Sequence, residues 1–227
     1  MNKAIFISKS NNDLELLPKF CSKNDIPLHA ESLIRFEGVF FENPEKFDVV
    51  FFASIRAAHF FLEQQSLPSS ILVACIGKIT ARKLQELGLE VSFIGENSGA
   101  PDAVANQFKE WLGKRTVLFP QSSVSKRSIS KTLPKNQVVE RIVYKTVFAC
   151  REMDACGIYI FTSPSNVQSF LSCNKTINGK IIAWGETTKA TLESYGFSVS
   201  KTLTVSDEVN LIAALKELAK FLFYNEW

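Results

Sequence analysis

The chain has 227 residues, 46% apolar and 22% charged, a balance that excludes a disordered polypeptide and allows one large domain or two small ones, each able to bury a core. Twenty-six Lys and Arg against 23 Asp and Glu leave a net charge of +3, too small an excess to point to nucleic acid but compatible with an acidic ligand. The longest apolar stretch, VVFFASIRAAHFFL, is broken by Arg56 and His59 and falls short of a membrane span.

In chain order, the apolar run Ala4 to Ile7 ends at Ser8-Lys9-Ser10. It is shorter than a signal-peptide core, so no export is expected. Strands are predicted at Ala4 to Ser8, Val49 to Ala53, Ile71 to Ile76, Val91 to Ile94, Thr116 to Phe119, Val138 to Val147, Ile158 to Thr162, Lys180 to Trp184 and Phe197 to Ser200. Amphipathic stretches between them read as helices, and the alternation is that of an α/β fold. Two helices stop at Gly88 and Gly196, each placed for a left-handed C-terminal cap. Ser206 followed by Asp207 and Glu208 reads as the cap and first turn of the last helix. The five cysteines are irregularly spaced without a C-x-x-C pair. They read as reduced thiols in a cytoplasmic protein.

A degenerate internal repeat organises these elements. VFFASIRAAHFFL resembles YIFTSPSNVQSFL, and ACIGKITARKLQELGLEVS resembles IAWGETTKATLESYGFSVS. Ser54 and Ser163 are 109 residues apart, while Gly77 and Gly185, Thr80 and Thr188, Gly88 and Gly196, and Ser98 and Ser206 are each 108 apart. The near-constant offset implies two homologous α/β domains, each a parallel sheet flanked by helices. A weaker echo pairs KAIFISKS with RTVLFPQSS. Segments 31–41 and 140–150 are long and rich in strand formers, and are read as two extended bridging strands.

No nucleotide-binding glycine loop, zinc-protease helix or serine-hydrolase elbow is present. His29 and His59 read as packing or surface residues. What remains are four strand-to-helix turns, carrying Ser54, Thr80, Ser163 with Ser165 and Asn166, and Gly185 with Thr187 and Thr188. Backbone N–H groups and the helix dipole favour an anion there. Such residues also cap helices, and any one turn alone reads that way. Four at the carboxyl ends of strands in two domains point to an interdomain site for a polyanion. Lys126 and Arg127 are either cationic contacts at the same edge or a solvated pair. Tyr144, in VVERIVYKTV, is by itself a packing aromatic.

FTSPSNVQSF, IAWGETTKATLESYGF, the Ser-Asp-Glu turn and VVERIVYKT together resemble the uroporphyrinogen-III synthase family from about Phe51 to Leu218. The chain departs from the family at Ile7-Ser8-Lys9-Ser10, where an Arg-Pro turn is common. It also has Ala53 and Arg56 where a Thr and a small polar residue are usual. The resemblance implies a discontinuous first domain of residues 1–34 and 148–227 and a second of 38–143. It implies cyclisation of hydroxymethylbilane to uroporphyrinogen III with loss of water and inversion of the last pyrrole ring, a lyase reaction of heme biosynthesis. On this reading Ser54, Thr80, Ser163, Ser165, Asn166, Gly185, Thr187, Thr188, Lys126 and Arg127 bind the substrate, and Tyr144 assists the leaving hydroxide. No cofactor, metal, nucleic acid or membrane is expected, and the protein is expected to be a monomer. The alternative is a non-catalytic two-domain protein or inactive synthase relative that holds an anionic metabolite.

Overall fold

In the computed structural model residues 3–42, 46–97 and 99–223 are described, the last five by backbone alone. The chain divides into two compact units, Met1–Arg35 with Val147–Trp227, and Phe36–Thr146.

In the first unit, five parallel strands lie in the order β11 (Lys201–Thr202), β10 (Lys180–Ala183), β9 (Ile158–Phe161), β1 (Ile5–Ile7) and β2 (Leu28–Ala30). The sequences Ile5-Phe6-Ile7 and Ile158-Tyr159-Ile160-Phe161 alternate isoleucine with aromatic, and both strands are buried throughout. Because successive side chains leave opposite faces of a strand, the sheet carries an isoleucine face and an aromatic face. The isoleucines pack on Leu17 and Cys21 of α1 (Leu16–Lys23) and Leu211 and Leu215 of α7 (Glu208–Phe223). The aromatics pack on Val167 and Phe170 of α5 (Pro164–Cys173) and Leu192 of α6 (Glu186–Ser194).

The second unit holds the order β3 (Ile34–Gly38), β8 (Val138–Phe148), β7 (Val117–Ser122), β4 (Val49–Phe52), β5 (Leu72–Cys75) and β6 (Val91–Ile94). β8 through β6 are parallel. β3 runs antiparallel to β8: Ala149 N–H donates to Leu33 O and Val39 N–H to Val143 O, one number rising as the other falls. α2 (Ile55–Leu62) and α3 (Lys78–Glu86) cover one face, packing Phe61 and Leu84 on Val50 and Phe52. α4 (Pro101–Leu112) covers the other, packing Val104 and Phe108 on Phe51 and Phe119. Both units are thus α/β layers with parallel-dominated sheets, the class expected.

The repeat is legible in atomic detail. Ser54 and Ser163 cap α2 and α5 by accepting from Ala57 N–H and Asn166 N–H. Gly77 and Gly185 precede α3 and α6 in the same extended conformation. Gly88 and Gly196 end them at φ +81° and +83°, which L side chains resist. The faint third echo has a counterpart too, since β1 flanks β9 as β7 flanks β4. Ser98, the remaining landmark, lies outside the described residues.

Four expectations are corrected. The strand expected at Phe197 to Ser200 lies one step further on, at β11: Phe197 N–H is taken by Leu192 O in the turn after α6, Ser200 begins the pairing by donating its N–H to Ile181 O, and Lys201 and Thr202 stand in register with Ile182 and Ala183. The strand β2 was not foreseen, because three residues are too few for alternation to register. The cap of α7 is Asp207, which accepts the Asn210 N–H, while the Ser206 hydroxyl donates to Trp184 O. Finally, Cys150, just past β8, and Cys173, the last residue of α5, form a disulfide rather than two reduced thiols. Their Cα atoms are 6.1 Å apart, a span a disulfide bridges. Cys21, Cys75 and Cys156 are free and buried, and burial pushes the Cys21 thiol up to about 11, which makes it inert.

Glu208 also acts away from its own helix, accepting the backbone N–H groups of Glu15, Leu16 and Leu17 at the start of α1. Partial burial raises its pKa, but the three N–H bonds and the nearby Lys9 charge outweigh that and hold the carboxyl below its ordinary value. A depressed carboxylate stabilises the fold above its unfolded pKa, about 4.3, and that contribution is lost as pH falls through the folded value. Glu208→Gln is expected to cost about 1 kcal/mol at neutral pH, allowing for solvent screening. In urea titrations it should also flatten the loss of stability below pH about 5. An unchanged acid profile would contradict the capping role.

Candidate functional site

Open α/β sheets bind ligands beyond the carboxyl ends of their strands, and the four strand-to-helix turns singled out in the sequence, with Lys126 and Arg127, fall there. In the first unit β1, β9 and β10 are followed directly by Ser8, Thr162 and Trp184. The Ser8 hydroxyl accepts from Thr162 N–H, and the Thr162 hydroxyl donates to Ser8 O, which ties the ends of β1 and β9 together. Ser163 and Ser165 are half-buried, and Thr187 is exposed at the start of α6. Thr188 is buried. Asn166 is buried too, and its amide is engaged within the unit: Oδ1 accepts Leu33 N–H at 2.8 Å and Nδ2 donates to Ser163 Oγ. For Thr188 and Asn166 the group facing a ligand is therefore backbone or nothing.

In the second unit Ser54 and Thr80 are half-buried at the starts of α2 and α3, while Lys126 and Arg127 are exposed on the loop after β7. Arg127 takes the left-handed conformation, φ 53°. Its N–H donates to Ser125 Oγ and its guanidinium pairs with Glu140 at 3.3 Å. Lys126 makes no ion pair among the described residues. Both cations line a cavity of about 230 Å³ at the carboxyl edge of the sheet, bordered by Ala53, Ile76, Phe119 and Ile129.

Tyr144 lies in β8 at 7% exposure, its ring stacked on Phe60 at 5.3 Å and edge-on to Phe36 at 5.9 Å. Its hydroxyl has no hydrogen-bond partner among the described residues. The Arg56 guanidinium lies 3.5 Å over the Phe36 ring, so a cation stands one ring away from the phenol. Arg56 occupies a position where the sequence departs from the family pattern, and that departure was its only signal. Lys9 is a second cation not named among the expected site residues, 5.3 Å over the Trp184 indole at the edge of the first unit's sheet. Its marks were a strand-end position and the departure from the family's Arg-Pro turn. No group of three metal-ligating side chains occurs among the described residues, and no helix there is long and apolar enough to cross a membrane.

Residues 31–210 match the family model described as uroporphyrinogen-III synthase HemD. In structure the chain is similar to the uroporphyrinogen-III synthetase of Helicobacter pylori 26695, with TM-score 0.70 and 18% identity over 96% of this chain and 100% of that one. It is also similar to a methionine-substituted uroporphyrinogen III synthase of Thermus thermophilus, with TM-score 0.59 and 12% identity over 96% and 99%. At such identities the structural likeness speaks for the fold. No curated protein sequence matches the chain.

Proposed function

We propose that this chain, which belongs to the uroporphyrinogen-III synthase family, catalyses the reaction of that name on hydroxymethylbilane. The match over residues 31–210 carries the reading. The strand-end chemistry of both units supports it.

Hydroxymethylbilane is a linear tetrapyrrole with acetate and propionate arms. Its hydroxyl leaves with a proton as water, giving an azafulvenium cation stabilised by the pyrrole nitrogen. The substituted carbon of the last ring attacks that cation to form a spiro intermediate, which opens and recloses with the ring inverted and releases a proton. Unaided closure joins the unsubstituted carbon and gives the type I isomer. The protein's task is therefore to hold the chain in the geometry that favours the substituted carbon, with modest acid assistance to the departing oxygen.

The substrate's carboxylates are received by backbone N–H groups at the starts of α2, α3, α5 and α6, and by Lys126 and Arg127. Ser54 and Ser163 hold two of those helix starts in place through their caps. Ser165, Thr80, Gly185 and Thr187 present further donors at the same edges. Tyr144 is the group proposed to protonate the leaving hydroxyl. The cytoplasm, where a soluble biosynthetic enzyme meets such a substrate, is the proposed location, and the monomer the proposed state.

Purified protein given enzymatically generated hydroxymethylbilane should yield mainly the type III isomer, whereas a non-catalytic binding protein leaves the type I product of spontaneous closure unchanged. Binding should depend on charge as well. Uroporphyrin III is expected to bind at least about tenfold more tightly than its octamethyl ester, and to weaken as salt is raised from low to physiological strength and beyond. Equal affinity for acid and ester would refute carboxylate recognition.

A further inference from the structure

Gln121 is the penultimate residue of β7 and stands in register with Ile142 of β8. One step further on the ladder slips, Ser122 pairing with Tyr144 and leaving Val143 without a partner on β7. A bulge of this kind bends a strand and re-aims the side chains beside it. Gln121 is 7% exposed, and its side-chain amide has no hydrogen-bond partner among the described residues. It lines the cavity of about 230 Å³ already described, together with Lys126 and Arg127. The amide opens on this cavity and none of the described residues takes up its N–H donors or its acceptor, so it is free to bond a polar guest seated there.

The walls say which guest. Ala53, Ile76, Phe119 and Ile129 give the cavity an apolar lining. At the rim, Lys126 has no ion pair among the described residues, while Arg127 shares its charge with Glu140, which also accepts from the Ser130 hydroxyl. Lys131 and Lys135 line a neighbouring cavity that shares Arg127 and Ser130 with this one. Apolar walls, an amide donor within and surplus positive charge outside fit a short alkyl chain ending in a carboxylate. The space holds one such arm with part of the ring that bears it, and not a whole tetrapyrrole.

We infer that Gln121 is a substrate-binding residue, its Nε2 donating to one carboxylate arm seated in this cavity of the second unit, with Lys126 and Arg127 meeting the charge. The inference rests on the synthase reading only for the ligand's identity. The site itself stands on the cavity and the unpaired amide.

The test uses side-chain amide NMR on the full chain. The Gln121 NH₂ resonances, identified by their loss in Gln121→Met, should shift on titration with glutarate, a small dicarboxylate, and with uroporphyrin III. Gln121→Met should weaken uroporphyrin III binding about tenfold, the lower range for a hydrogen bond to a charged group. It should raise KM for hydroxymethylbilane by a similar factor, with a smaller change in kcat and an unaltered melting temperature. Gln121→Glu should bind more weakly still, with the added deficit shrinking at high salt. Amide resonances unmoved by both ligands, or binding by Gln121→Met within twofold of the parent, would overturn the assignment. Shifted resonances without production of the type III isomer would leave the carboxylate site standing and remove the synthase reading. Production of that isomer with unmoved resonances would do the reverse.

Discussion

Tyr144→Phe is expected to slow conversion of hydroxymethylbilane about tenfold or more, with substrate affinity and melting temperature little changed. The substitution keeps the ring that stacks on Phe60 and meets Phe36 edge-on, and removes only the hydroxyl, which has no protein partner among the described residues. General acid assistance is typically worth about 10²- to 10⁴-fold. Here the departing oxygen leaves a stabilised cation, so less help is needed and a loss at or below the lower end is expected. Tyr144→Ala separates this from packing. It deletes a ring buried in the second unit's core, and should cost about 3 kcal/mol of stability as well as activity. A fully active Phe variant, measured where chemistry limits the rate, would take Tyr144 out of the mechanism and leave positioning as the whole account.

The largest effect on stability is expected at Phe108. It is fully buried in α4, with its ring 4.6 Å from Phe51, 5.2 Å from Phe93 and 5.8 Å from Trp111. Phe108→Ala should cost about 3 to 5 kcal/mol, because these rings close only partly over the space left. Phe108→Leu, which fills most of that space, should cost about 1.5 kcal/mol or less. Trp111 fluorescence in urea reports the transition from beside the altered ring. Phe119, also in contact with Phe108 and part of the lining around Gln121, links the two effects. The Ala variant should lose carboxylate affinity before it unfolds. A cost below about 1 kcal/mol would mean that the aromatic cluster is not the core of this unit.

The strands were legible in the sequence wherever β-branched and aromatic residues ran together, as in Val49–Phe52 and Ile158–Phe161, which are buried on both faces. The helix ends were legible because glycine at positive φ leaves a mark that few other residues leave, at Gly88 and Gly196. Edge strands were harder. β2 and β11 are two or three residues long and make few demands on residue type, so pattern alone does not betray them. The disulfide was invisible for another reason: residues 23 apart in sequence meet only because α5 folds back beside the end of β8.

The site was legible in part. Ser54 and Ser163 stand at helix starts because a short hydroxyl there accepts a backbone N–H, and the sequence records that requirement. Asn166 carries the same signature, yet its amide is committed to Leu33 and Ser163. A residue type that suits both capping and ligand binding does not reveal which it does. Gln121 carried no local signal, and Arg56 only its departure from the family pattern. One depends on a slip in the ladder between β7 and β8, the other on a ring in β3 reached across the sheet, and neither relation is written in residues near them in sequence.

The central claim is that this chain directs ring closure. The most direct measurement supplies hydroxymethylbilane at fixed concentration to increasing amounts of the protein, then oxidises the products and separates the uroporphyrin isomers. The account predicts a type III fraction that rises with protein concentration to near completion and disappears when the protein is heat-denatured beforehand. A product mixture that stays type I at every protein concentration would contradict it.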